Sequence, residues 1–179
     1  MALGLVLAAV GSSAFVYGRW VYRERRFNSL IEEIASQQAV DKFLIKAVIR
    51  RESKFDPFAY GRAGEIGLMQ VTPAAGADWA RATGRRDFQS DQLWNARTNI
   101  EAGTWYLGRA LRRWQTQDDP LPFALAEYNA GLGNVQRWLP FGRSTTARQF
   151  LQAITYPGVR KYIATVTEYA QDYRDRGKL

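Results

Sequence analysis

A mainly helical domain behind an apolar amino-terminal segment is the architecture this sequence predicts, and three observations carry that reading. Beyond Asn28, apolar residues recur at helical spacing between short Gly-, Pro- and Asp-rich turns, giving helices over about 28–37, 41–54, 73–83, 96–115, 121–130, 145–154 and 158–175. No long run alternates apolar with polar residues as a half-buried strand does, and only Tyr60 to Ile66 has the makings of a very small β hairpin. Residues 1–18, MALGLVLAAVGSSAFVYG, carry no charged side chain. A chain of 179 residues, 46% hydrophobic, buries one core and therefore one domain, expected over 28–179.

The amino-terminal segment, residues 1–27, is expected to be a separate element. As a helix its first 18 residues span about 27 Å, close to the thickness of a bilayer core. RWVYRERR follows, with Trp20 and Tyr22 as interfacial aromatics beside four arginines. The expectation is a membrane anchor. A cleaved signal peptide, with Ser12-Ser13-Ala14 as a small-residue site, is the alternative, but the basic segment that normally precedes such a run is missing. A buried soluble helix is a third reading. Arginines after the span favour a cytoplasmic domain by the positive-inside rule, which conflicts with the location implied below.

Taking the helices in order, Asp41 to Ser53 is the most informative. At 100° per residue Leu44, Ile45, Val48 and Ile49 form an apolar face, and Glu52 points within roughly 10° of its mean direction. Lys42, Lys46, Arg50 and Ser53 fall on the opposite, solvent side of that wheel. A carboxylate on the core side of a helix's last turn is desolvated and sits at the negative end of the dipole, and both effects raise its pKa. Such a group can act as an acid near neutral pH. Otherwise the helix has ended, and Glu52 turns to solvent or pairs with Arg51 or Arg62. Thr72-Pro73 reads as a helix start, Thr capping free N–H groups and Pro fitting the first turn. Gln70 and Met69 thus lie in a tight loop just ahead of a helix. The 96–115 helix places Ile100, Gly103, Leu107, Leu111 and Trp114 on one core stripe, and Gly131 reads as the cap ending the 121–130 helix.

Composition removes whole chemistries. The chain has neither Cys nor His, so it holds no disulfide, no thiolate metal site and no Ser-His-Asp triad, and acid-base work falls to Asp, Glu, Lys or Tyr. A net charge of +8 favours a polyanionic partner: nucleic acid, anionic lipid or an acidic wall polymer. The basic residues are spread along the chain rather than clustered, which argues against nucleic acid.

Five segments together resemble a known family: IRRES (Ile49 to Ser53), GLMQ (Gly67 to Gln70, beginning fifteen residues after Glu52) with Pro73, NIEAGTWYL (Asn99 to Leu107), ALAEYNAGLGNV (Ala124 to Val135) and RKYI (Arg160 to Ile163). Their order and spacing are similar to those of the catalytic domain of the Slt-type lytic murein transglycosylases, relatives of goose-type lysozyme, over about residues 38–172. The resemblance implies a lysozyme-like helical fold, Glu52 as the catalytic acid, and Met69, Gln70, Tyr128, Asn129 and Tyr162 at the sugar cleft. It also implies a peptidoglycan substrate, no cofactor or metal, a monomer, and action outside the cytoplasmic membrane. Read without it, Tyr128 and Tyr162 are core aromatics, Asn129 caps a helix and Gln70 satisfies its own loop. Two positions depart from the family pattern: Gly61 stands where serine is frequent, and Gly158 where a second glutamate is often found. A lysozyme-like hydrolase and a non-catalytic basic glycan-binding module are the competing functions.

Overall fold

Five of the described α-helices begin where a side chain satisfies free N–H groups of the first turn. In this computed structural model, which describes residues 18, 21–139, 145–177 and 179, α1 runs Asn28–Gln38 and α2 Lys42–Ser53. They are followed by α3 Pro73–Ala82, a 3₁₀ turn Ser90–Trp94, α4 Ala96–Arg113 and α5 Pro120–Ala130. The last three are α6 Leu132–Trp138, α7 Ala147–Ala153 and α8 Pro157–Asp175. Asp41 caps α2 through Phe43 N, Thr72 caps α3 through Ala75 N, and Asn95 caps α4 through Arg97 N and Thr98 N. Asp119 caps α5 ahead of Pro120, and Thr146 forms a reciprocal capping box with Gln149 on α7. The short helix α6 and the 3₁₀ turn were not expected from the sequence.

At the centre lies α2, packed along α8 and covered from another side by α1; α4 packs on α5, which in turn meets α6, α7 and α8. Ile45, Val48 and Ile49 of α2 are fully enclosed, as are Ile100 and Leu107 of α4 and Phe123 to Ala126 of α5. Phe123 stacks on Phe150 at 4.2 Å and on Trp114 at 5.4 Å, joining α4, α5 and α7. The two faces of α2 do not divide as the helical wheel predicts: Lys46 is 1% exposed and Ser53 is buried. The reason is α8. It covers the side assigned to solvent, and there Lys46 Nζ donates to Asn28 Oδ1 at 3.0 Å and sits 4.7 Å from the Tyr173 ring centre.

The small hairpin expected at Tyr60 to Ile66 is instead two isolated antiparallel bridges, Tyr60 with Ile66 and Ile66 with Val71, and no strand occurs among the described residues. Gly67, at φ 74°, folds the chain back before a ladder can extend. Residues 1–17, 19 and 20, which carry the expected anchor, lie outside the described residues, and no described helix is long and apolar enough to cross a membrane. The stretch 21–25 is helical and docked on the domain: Arg23 pairs with Asp56 at 3.0 Å, and Glu24 is 6% exposed.

Candidate active site

Glu52 sits in the last turn of α2, which ends in Lys54 and Phe55, both at positive φ. The side chain is half-buried, and its pKa is raised. Burial is the main cause, with the negative charge of Glu65 adding to it; the Tyr162 hydroxyl and the Arg51 guanidinium work in the opposite direction. Tyr162, on α8, is 1% exposed, and the Arg51 guanidinium lies 5.3 Å from the centre of its ring. The Tyr162 hydroxyl lacks a partner at full hydrogen-bond geometry, yet Glu52 is the charge it feels most strongly. Burial and then that charge hold this phenol well above its ordinary pKa, so it stays a potential donor to the carboxylate.

The chain from Ala59 to Val71 closes on itself. Ile66 and Val71 exchange two backbone hydrogen bonds of 3.0 Å, Gly61 N donates to Glu65 O at 2.8 Å, and Gly67 N to Ala59 O at 2.8 Å. Asn99 of α4 holds this loop from beneath. Its Nδ2 donates to Ile66 O (2.7 Å) and Leu93 O (2.8 Å), and its Oδ1 accepts from Met69 N (2.8 Å). A Cβ at Gly67 would stand 2.6 Å from Asn99 Nδ2, so the glycine is required both for its φ and for the space. Asn99 opens the NIEAGTWYL segment, and the resemblance alone implies no role for it. The available signal was its spacing: with Gly103 and Leu107 it lies on the core stripe of α4, where an amide must find partners.

Met69 is fully enclosed. Its Sδ lies 3.8 Å from Thr104 Oγ1, and a Cβ at Gly103 would meet that sulfur at 2.6 Å. Its side chain is therefore part of the core, and what it turns toward the cleft is its carbonyl, which accepts from the Tyr128 hydroxyl at 2.9 Å. Gln70, at φ 49°, donates its amide to Gly67 O (2.9 Å) and Ala59 O (3.2 Å), so both of its N–H groups serve the loop and only Oε1 is left over. Tyr128, near the end of α5, is half-buried, and burial together with the Glu52 charge raises its pKa well above the ordinary phenol value. Asn129 is exposed and makes no side-chain hydrogen bond among the described residues. The chain then turns at Gly131, φ 83°, into α6.

Glu52, Tyr128 and Tyr162 are thus brought together under the Gln70 loop, while the Met69 side chain is withdrawn and Asn129 stands at the surface. Beyond Tyr128 and Gln70 a cleft of about 310 Å³ continues past Thr72, Ala75, Tyr106 and Arg109. Other carboxylates are occupied elsewhere: Glu127 is buried, accepting from Trp114 Nε1 at 2.7 Å with Arg113 Nε at 3.3 Å, Asp56 pairs with Arg23, and Glu101 with Arg85 at 2.6 Å. No cluster of acidic residues among the described residues suits a metal ion. One desolvated carboxyl beside two phenols, one of which, Tyr128, lines the cleft, is suited to giving a proton and taking one back.

These features define a helical domain with a half-buried glutamate of raised pKa, Glu52, at its candidate site. The chain belongs to the transglycosylase SLT domain family, whose model matches residues 29–150. It is 42% identical over 114 residues to a membrane-bound lytic murein transglycosylase F from Desulfosudis oleivorans, a match covering 62% of this chain and 23% of that protein. It is 31% identical over 163 residues to a soluble lytic murein transglycosylase of Escherichia coli, covering 87% and 24%. Among solved structures, the lytic transglycosylase Slt of Pseudomonas aeruginosa, studied as an inactive Glu-to-Gln mutant, matches with a TM-score of 0.76 and 26% identity over 85% of this chain and 24% of that one. The 70-kDa soluble lytic transglycosylase in complex with bulgecin A matches at 0.73 and 30%, over 88% and 26%. The chain spans about a quarter of the length of these relatives, and its mainly helical fold is theirs.

Proposed function

We propose that this domain is a peptidoglycan lytic transglycosylase that cleaves the β-1,4 bond between N-acetylmuramic acid and N-acetylglucosamine, with Glu52 as acid and then base. The observation that carries the reading is the half-buried Glu52, its pKa raised by burial, set beside Tyr128, Tyr162 and the Gln70 loop. Membership of the SLT family and relatives named as lytic murein transglycosylases support it.

In this mechanism the protonated Glu52 delivers its proton to the glycosidic oxygen as the bond to the muramic C1 breaks. The N-acetyl carbonyl of that sugar shields the positive charge developing at C1. Glu52, now a carboxylate accepting from Tyr162, takes the proton of the sugar's own C6 hydroxyl as that oxygen closes on C1. The acid is regenerated, a 1,6-anhydro end forms and no water is consumed. Glycan is held by the Gln70 Oε1 and Asn129 amides and by Tyr128, whose carbonyl partner on Met69 fixes the ring at the cleft wall.

Residues 1–27 serve in this reading as a membrane anchor with the domain on the outer side. Relatives named as membrane-bound support the anchor. Incubating the full chain with purified peptidoglycan and weighing the fragments tests the reaction: 1,6-anhydro ends, one water lighter than hydrolytic ends, are expected. A reducing muramic end on the main product would make the domain a hydrolase, and intact glycan would leave it a binding module.

A further inference from the structure

Position 61 has no side chain, and the space a Cβ would take there is filled by Glu65 Oε2, with Gln70 Oε1 2.8 Å from the same point. Two oxygens from different residues therefore converge on the space above Gly61. Neither is free to become a donor toward the other. Gln70 has committed both N–H groups to Ala59 O and Gly67 O, so turning its amide over would set Oε1 against two carbonyls. Glu65 Oε2 already accepts from Ala63 N at 2.9 Å, which fixes the carboxylate in the turn. Gln70 Oε1 accepts no hydrogen bond among the described residues. The result is a pair of partly exposed acceptor oxygens over Gly61, one of them on a carboxylate, carried by the Gln70 loop.

We propose that Glu65 and Gln70 form an acceptor-only subsite above Gly61 that takes the O–H and N–H donors of a bound N-acetylated sugar. The subsite rests on the glycan-cleaving reading and adds a residue to it. A sugar ring offers several hydroxyls and an acetamido N–H, and a paired carboxylate and amide oxygen select for such donors. Glu65 also acts on the acid. The charged or titratable groups that bear on Glu52 are Arg51 on its own helix, Tyr128 on α5, Tyr162 on α8 and Glu65 on the loop. Arg51 favours the Glu52 carboxylate, and Glu65 disfavours it, adding a smaller push in the same direction as burial.

The test uses the full chain, its Glu65→Gln and Glu65→Ala variants, and tetra-N-acetylchitotetraose as the probe, with affinity read by calorimetry and cleavage of peptidoglycan read against pH. Losing a hydrogen bond to a charged group corresponds to roughly a tenfold or greater loss of affinity, the Kd increase expected for Glu65→Ala. Glu65→Gln keeps an oxygen for Ala63 N and should fold normally. It should still weaken the probe and shift the alkaline fall of activity to lower pH, because Glu52 then ionises more readily. Unchanged Kd and unchanged pH profile in both variants, with only thermal stability lowered, would overturn the subsite and leave Glu65 a brace for its own turn. If the unmodified chain cleaves no peptidoglycan, the reaction assignment fails, while the Kd comparison still decides the subsite.

Discussion

Replacing Asn99 with Ala removes the support of the whole Gln70 loop without touching the cleft surface. Three hydrogen bonds of 2.7–2.8 Å are lost: those to the Leu93 carbonyl, to the Met69 N–H and to the Ile66 carbonyl, of which the last keeps Val71 N as a donor. All three residues are buried, so water cannot freely replace the amide. At about 1 kcal/mol for each ordinary hydrogen bond, the loss comes to about 3 kcal/mol, with more if the orphaned groups stay dry. For a domain of this size that corresponds to a fall in Tm of roughly 6–12 °C. Urea unfolding should show the midpoint falling with an unchanged slope. Peptidoglycan cleavage should fall as well, at temperatures where the variant is still folded, because Met69 O positions Tyr128 and Gly67 O positions Gln70. A stability change below about 0.5 kcal/mol, the range of ordinary surface substitutions, would refute the reasoning.

The two cleft amides should separate. Gln70→Ala removes two hydrogen bonds to the Ala59 and Gly67 carbonyls, each of which keeps a backbone donor, and should cost about 1–3 kcal/mol of stability as well as activity, whereas exposed Asn129→Ala should weaken cleavage with no measurable change in melting. Lys46 gives a pH signature: burial lowers its pKa from 10.5 to about 8, with Glu24 opposing. Between pH 8 and 10.5 the unfolded chain holds a proton that the native state lacks, so this group makes stability rise with pH through that window, and Lys46→Met should abolish the rise in denaturation curves.

The helices were legible because their signals are local. Asp41, Thr72-Pro73, Asn95 and Asp119-Pro120 cap the helices they precede, and the apolar period of α2 and α4 matches the buried stripes. What failed was anything that depended on a second partner. A helical wheel assumes one buried face, but α2 is covered on several sides, so Lys46 went to the core with Asn28 and Tyr173 as its compensation. The helix Leu132–Trp138 was hidden by Gly131, which reads as the cap of the preceding helix, and by Gly133 inside it. Glu52 was found by its direction on the wheel as well as by motif, and the structure attributes its raised pKa chiefly to burial. Glu65 gave no such signal, since its meaning depends on the chain folding it over Gly61, four residues back.

The most direct test of the account is Glu52→Gln, assayed for peptidoglycan cleavage and for thermal stability in the same preparation at neutral pH. The Gln keeps the shape but can neither give a proton to the glycosidic oxygen nor take one from the C6 hydroxyl. Because burial raises the Glu52 pKa, its ionised form costs native stability as pH rises through that shifted value, and the neutral amide does not. The account predicts a loss of at least about 10²–10⁴-fold in activity with melting unchanged or higher. Full activity in the Gln variant, or a loss explained entirely by unfolding, would contradict it.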